Sequence, residues 1–77
     1  MASVALRAKD LERNMYRIGS IIEYELRGDG TIRTVLVQDK DDDIKNGRPG
    51  FDGLLLPENK GRQVWGYDYQ ITKIIKY

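Results

Sequence analysis

The chain reads as a small, mainly β protein: a five-stranded antiparallel barrel preceded by a short N-terminal helix. Three observations predict this. The 77 residues suffice for a single small domain. From Ile18 onward apolar side chains recur with a period of two, the alternation of a half-buried strand. The alternating runs are separated by glycine-bearing sequences (RGDG, NG, PG, PENKGR) at spacings suited to hairpins.

The elements follow in order. Val4, Ala8, Leu11 and Met15 are spaced 4, 3 and 4 apart, which places them on one stripe of a helix over residues 4–15. Ser3 is suited to cap it. About three turns do not persist alone in water, so residues 1–17 form a docked helix or a partly ordered arm, and 18–77 the barrel domain. In RIGSIIEYELRG, Ile18, Ile22, Tyr24 and Leu26 share a face opposite Glu23, Glu25 and Arg27. Gly28 and Gly30 supply the positive-φ positions of a hairpin. TIRTVLVQ is the second strand, and its Val35-Leu36-Val37 run suggests burial on both faces. Residues 39–50, with turn signals at Asn46-Gly47 and Pro49-Gly50, read as a long loop. FDGLLL, QVWGY and ITKIIKY complete the strands, with DYQ as a short turn before the last.

Composition removes whole classes of function. A domain this small buries only about 60% of its unfolded surface, and many such chains add disulfides or zinc. With no cysteine and no histidine, disulfides and a Cys/His zinc site are both excluded. A compact barrel, self-association into a homo-oligomer, or a partner remains. The same absences remove the commonest general base and the strongest nucleophile. Glu23 and Glu25 would lie on the outer face of a strand, exposed to water. No catalytic residue, metal or cofactor is expected.

Thirteen bases against twelve acids give a net charge of +1, weaker than the basic excess of a dedicated duplex-DNA protein. Residues 1–17 hold four bases and two acids, while DKDDD at 39–43 holds four acids and one lysine. No apolar run suits a bilayer crossing and no secretory signal is evident, so a cytoplasmic protein with no membrane role is expected.

Two motifs fail on inspection. Asp39, Asp41 and Asp43 alternate like calcium-loop ligands, but the sixth and twelfth positions, which need glycine and glutamate, are Ile44 and Gly50. The glycines of NGRPGFDG (Gly47, Gly50, Gly53) lack the Gly-Lys-Ser/Thr ending of a phosphate loop and read as shaping a tight turn into the third strand. Arg48, raised on that turn, is placed to meet a carboxylate or phosphate.

The tail Val64-Trp65-Gly66-Tyr67, then Asp68-Tyr69-Gln70, then Ile71 to Ile75, resembles the end of an SH3-like barrel. There an aromatic-bearing fourth strand and a one-turn 3₁₀ segment precede an alternating closing strand. The resemblance spans about residues 17–77 and implies a fold, with no single activity. One enzymatic family of that fold is the plasmid-encoded, trimethoprim-resistant dihydrofolate reductase, a tetrameric pore whose motif reads Val-Gln-Ile-Tyr. Val64 and Tyr67 match it, whereas Trp65 and Gly66 replace the ligand-contacting glutamine and isoleucine. The enzyme therefore stands behind the binding readings.

Strand alternation puts Trp65 and Tyr67 on one face and Val64 and Gly66 on the other. If Val64 is core, Trp65 and Tyr67 form an outer platform with Tyr69. If Trp65 is core, only Tyr69 is free. The SH3-like resemblance implies the platform. With Lys45, Arg48 and Arg62 beside it, such a patch suits a protein partner, since tyrosine, tryptophan and arginine dominate protein hot spots. The alternative is a single-stranded nucleic acid, with stacked bases and arginine-tracked phosphates. Near-neutral charge and the acid run, which repels phosphate, favour the protein. The expected partner-binding set is Arg48, Trp65, Tyr67, Tyr69 and Arg62.

Overall fold

The computed structural model describes residues 6–7, 15–26, 28, 30–56 and 62–77. Five antiparallel strands form one open sheet: β2 (Ile21–Leu26), β3 (Thr31–Lys45), β4 (Arg48–Leu56), β5 (Gln63–Tyr67) and β6 (Ile71–Lys76). A two-residue strand, β1 (Leu6–Arg7), extends it, and the order is β1-β6-β2-β3-β4-β5. The described pairings do not join β5 to β1, as closing a barrel by backbone bonds would require. No helix among the described residues is long and apolar enough to cross a membrane.

The N-terminal helix expected over 4–15 is not shown. Leu6 and Arg7 are extended and pair with Ile74 and Lys73 of β6, so sheet pairing overrides the helical spacing there. Met15 is non-helical and 44% exposed; the rest of the expected helix lies outside the described residues. Ile18, expected on the core face, is 61% exposed. It sits in a turn closed by Ser20 N–H on the Arg17 carbonyl at 2.9 Å, with Gly19 at φ 94°.

Alternation holds in β2. Ile22 and Tyr24 are fully buried, and Leu26 packs against the core. Val35 and Val37 of β3 are buried, with Leu36 between them half-buried. Tyr24, Phe51 and Tyr16 form a chain of edge-to-face rings, with Phe51 5.1 Å from Tyr24 and 5.9 Å from Tyr16. Such ring pairs add about 0.5–1.5 kcal/mol each beyond area burial. Gly66 lies beneath this layer. A Cβ there would meet Phe51 Cζ at 2.8 Å and Tyr24 Cε2 at 2.9 Å.

The long loop expected at 39–50 is instead a continuous hairpin. β3 runs on to Lys45, with register shifts between Val37 and Asp39 and between Asp41 and Lys45. Asn46 (φ 58°) and Gly47 (φ 72°) make a two-residue turn with the positive-φ pair of a primed hairpin, and Lys45 faces Arg48 across it. Pro49-Gly50 is strand, not turn. Gly50 and Gly53 therefore shape no turn; they admit close backbone. A Cβ on Gly50 would collide with the Gly66 carbonyl and Ile44, and one on Gly53 with the Leu36 carbonyl. The carboxylates of the acid run serve the hairpin itself. Asp43 Oδ1 accepts the Gly47 N–H at 2.7 Å and Asp41 Oδ1 the Asp43 N–H at 2.9 Å.

Candidate functional site

β5 decides the register question. Val64 is 7% exposed and Gly66 is buried, whereas Trp65 is 44% exposed. Val64 faces Gly53, and Trp65 faces Asp52 on the opposite side of the sheet. The single turn Asp68–Gln70 then brings Tyr69, 53% exposed, alongside β5. The Tyr67 N–H donates to Gln70 Oε1 at 2.9 Å, which stitches that turn to the strand.

The result is a row of three rings. Trp65 meets Tyr67 edge-on with centroids 5.3 Å apart, and Tyr67 stacks on Tyr69 at 5.2 Å and 14°. The β3–β4 hairpin tip lies along this row in matching order. Lys45 Nζ stands 5.3 Å from the Trp65 ring, Asn46 Nδ2 donates to Tyr67 Oη at 3.4 Å, and the Arg48 guanidinium is 5.6 Å from Tyr69. Cations at these distances from a ring face gain about 0.5–1 kcal/mol at exposed sites. The two-residue turn therefore aligns two cations and an amide with three aromatics.

Four of the five expected residues, Arg48, Trp65, Tyr67 and Tyr69, are joined by these contacts. Arg62 stands at the other end of β5, exposed, and lines a groove of about 500 Å³ with Trp65, Tyr67 and Tyr69. Arg33 and Leu26 line that groove as well. Arg33 was not expected there, yet a signal existed. It lies opposite Tyr24 and so has the inward parity of Val35 and Val37, where a charge needs a reason. None of the described residues lining this groove is a carboxylate. On the outer face, Asp52 joins Ile44, Lys45 and Trp65 around a second, shallower depression.

The turn carrying Tyr69 is anchored from below. The Tyr16 hydroxyl, in a residue 1% exposed, donates to Asp68 Oδ1 at 2.5 Å. Burial, then this hydrogen bond and the Asp68 charge, pushes the Tyr16 hydroxyl well above the ordinary tyrosine value. Lys40 Nζ caps the Tyr16 carbonyl at 2.6 Å and lies 4.2 Å from its ring centroid. At the positions where the reductase motif carries glutamine and isoleucine, Trp65 is turned outward and Gly66 is sealed beneath Tyr24 and Phe51.

No protein-family model, curated protein or solved structure matches the chain.

Proposed function

We propose that the chain is a small, non-enzymatic interaction module that holds a protein partner on the row Trp65–Tyr67–Tyr69, with Lys45, Arg48 and Arg62 as its charged rim. The single observation carrying this reading is the row itself: three adjacent rings, Trp65 and Tyr69 exposed and Tyr67 half-buried between them, held by a 3₁₀ turn and a hairpin tip. Rigid aromatic groups with arginine at the edge supply hot-spot energy at low entropic cost. The strand order β6-β2-β3-β4-β5, with a 3₁₀ turn before the last strand, supports an SH3-like barrel as the underlying fold. A protein is favoured over a nucleic acid because Asp41, Asp42 and Asp43 lie in the same hairpin as the cations, where they repel a phosphate backbone.

Amide-shift titration separates the two partners. A single-stranded oligonucleotide is expected to leave Arg48 and Tyr69 unmoved up to millimolar concentration. Salt-sensitive shifts there would transfer the site to nucleic acid. For the protein reading, Trp65→Ala and Tyr69→Ala should abolish retention of a captured partner while circular dichroism stays that of the parent. Undiminished retention by both would end it.

A further inference from the structure

Among the described strands β5 lies at the edge of the sheet, and its bonding pattern fixes which backbone groups face outward. The Leu55 N–H donates to the Arg62 carbonyl at 3.0 Å. In an antiparallel ladder, bonded and non-bonded pairs alternate. The bonded pairs are therefore Leu55/Arg62, Gly53/Val64 and Phe51/Gly66, and the backbone groups of Gln63, Trp65 and Tyr67 point away from β4. Gln70 already takes the Tyr67 N–H. Those of Gln63 and Trp65 have no described strand beyond them. At the far side of the sheet, by contrast, β1 pairs with β6.

This edge is neither blunted nor neutral. β5 contains no proline and no lysine, two common protections against strand addition. The groove along it is rimmed by Arg33, Arg62 and Lys45, and none of the described residues lining it is a carboxylate. Side chains of an added strand alternate, so every second one would fall on the Val64 face, beside Arg33 and Arg62.

We propose that an extended acidic peptide segment of the partner adds to β5 as a further strand. Its backbone bonds the outward groups of Gln63 and Trp65, and its alternate carboxylates meet Arg33 and Arg62, which have the parity of the inward face. The charge of the groove, whose described lining contains Arg33 and Arg62 and none of Asp41, Asp42 and Asp43, selects this occupant, and strand addition supplies affinity through main-chain bonds. The proposal rests on the platform reading and adds a backbone component to it.

The probe is a synthetic peptide about as long as β5 in which glutamate alternates with valine. Three controls accompany it: the same peptide N-methylated at alternate residues, a lysine-for-glutamate version, and oligothymidylate. The readouts are Trp65 fluorescence and amide hydrogen exchange at Gln63 and Trp65 in the full chain. The acidic peptide is expected to slow exchange at both amides, N-methylation to remove that protection, and the lysine version to fail. Arg33→Gln and Arg62→Gln should each weaken binding roughly fivefold, the value of one exposed ion pair. A fluorescence change without exchange protection would overturn strand addition while leaving the platform standing. Binding of oligothymidylate in place of the peptide, or no response to the peptide at millimolar concentration, would also overturn it.

Discussion

Tyr16→Phe removes one oxygen atom from a fully buried ring, and its cost can be worked from the contacts. The hydroxyl donates at 2.5 Å to a carboxylate in a residue only 8% exposed. Hydrogen bonds to charged groups contribute about 1.5–3 kcal/mol. Asp68 retains some contact with water, so the loss falls short of the full penalty for a stranded buried charge; about 2–3 kcal/mol is expected. A domain of this size holds roughly 4–12 kcal/mol in total, and each kcal/mol shifts Tm by about 4–8 °C. Urea and thermal unfolding followed by circular dichroism should therefore show a large drop. Asp68→Asn keeps an acceptor and should cost less. The double variant should be more stable than the sum of the two singles, with about 1 kcal/mol or more of coupling. The pH dependence carries a sign as well. A tyrosine raised in the folded state contributes stability present below its unfolded value of 10.0 and lost progressively as pH rises above it. Stability should fall above about pH 10, and the fall should be shallower in Tyr16→Phe. A variant within about 0.5 kcal/mol of the parent, or strict additivity with Asp68→Asn, would refute the argument.

The remaining expectations concern the platform and the glycines beneath it. Gly66→Ala drives a methyl into Phe51 and Tyr24 and should cost about 1–3 kcal/mol in urea unfolding; a neutral result would mean the aromatic layer yields freely. Gly47→Ala places a side chain at φ 72° and should cost about 1 kcal/mol. It should also shift the ring resonances of Trp65 and Tyr69 as Lys45 and Arg48 move, and unchanged resonances would show that the turn does not align the cations. Trp65 emission should be solvent-shifted and quenched more readily by iodide than by caesium, because Lys45 stands over the ring. A blue-shifted, protected signal would contradict the exposed placement.

Much of the sheet was legible because alternation is a direct consequence of strand geometry. Ile22/Tyr24 and Val64/Gly66 face inward as their parity requires. The outward turn of Trp65 was decided only by the structure: Gly66, its neighbour, leaves the space that Tyr24 and Phe51 fill. The extension of β3 through DKDDD was hidden for a different reason. Aspartate is depleted in strands, yet here pairing with β4 supplies the bonds while most of the carboxylates stay in water. Pro49 reinforced the misreading, although it lies beyond Gly50↔Tyr67, where β5 pairing ends and a missing donor does least harm. At the N-terminus a helical spacing of four residues was a weak signal, and at Leu6–Arg7 the exposed edge of β6 outcompeted it. Within the site, the ring cluster and Arg48 could be read from the chain. The ring-by-ring match of Lys45, Asn46 and Arg48 could not, because it depends on the twist of a long hairpin.

The close spacing of the three rings has an optical consequence. Trp65 is the single tryptophan, and Tyr67 and Tyr69 follow it at successive centroid spacings of 5.3 and 5.2 Å. Light absorbed by those tyrosines is passed down the row and emitted by the indole, so excitation in the tyrosine band should return tryptophan emission. A partner that wedges the rings apart would dim that transfer before any dye is attached. The protein thus carries its own binding reporter in the surface it is proposed to use.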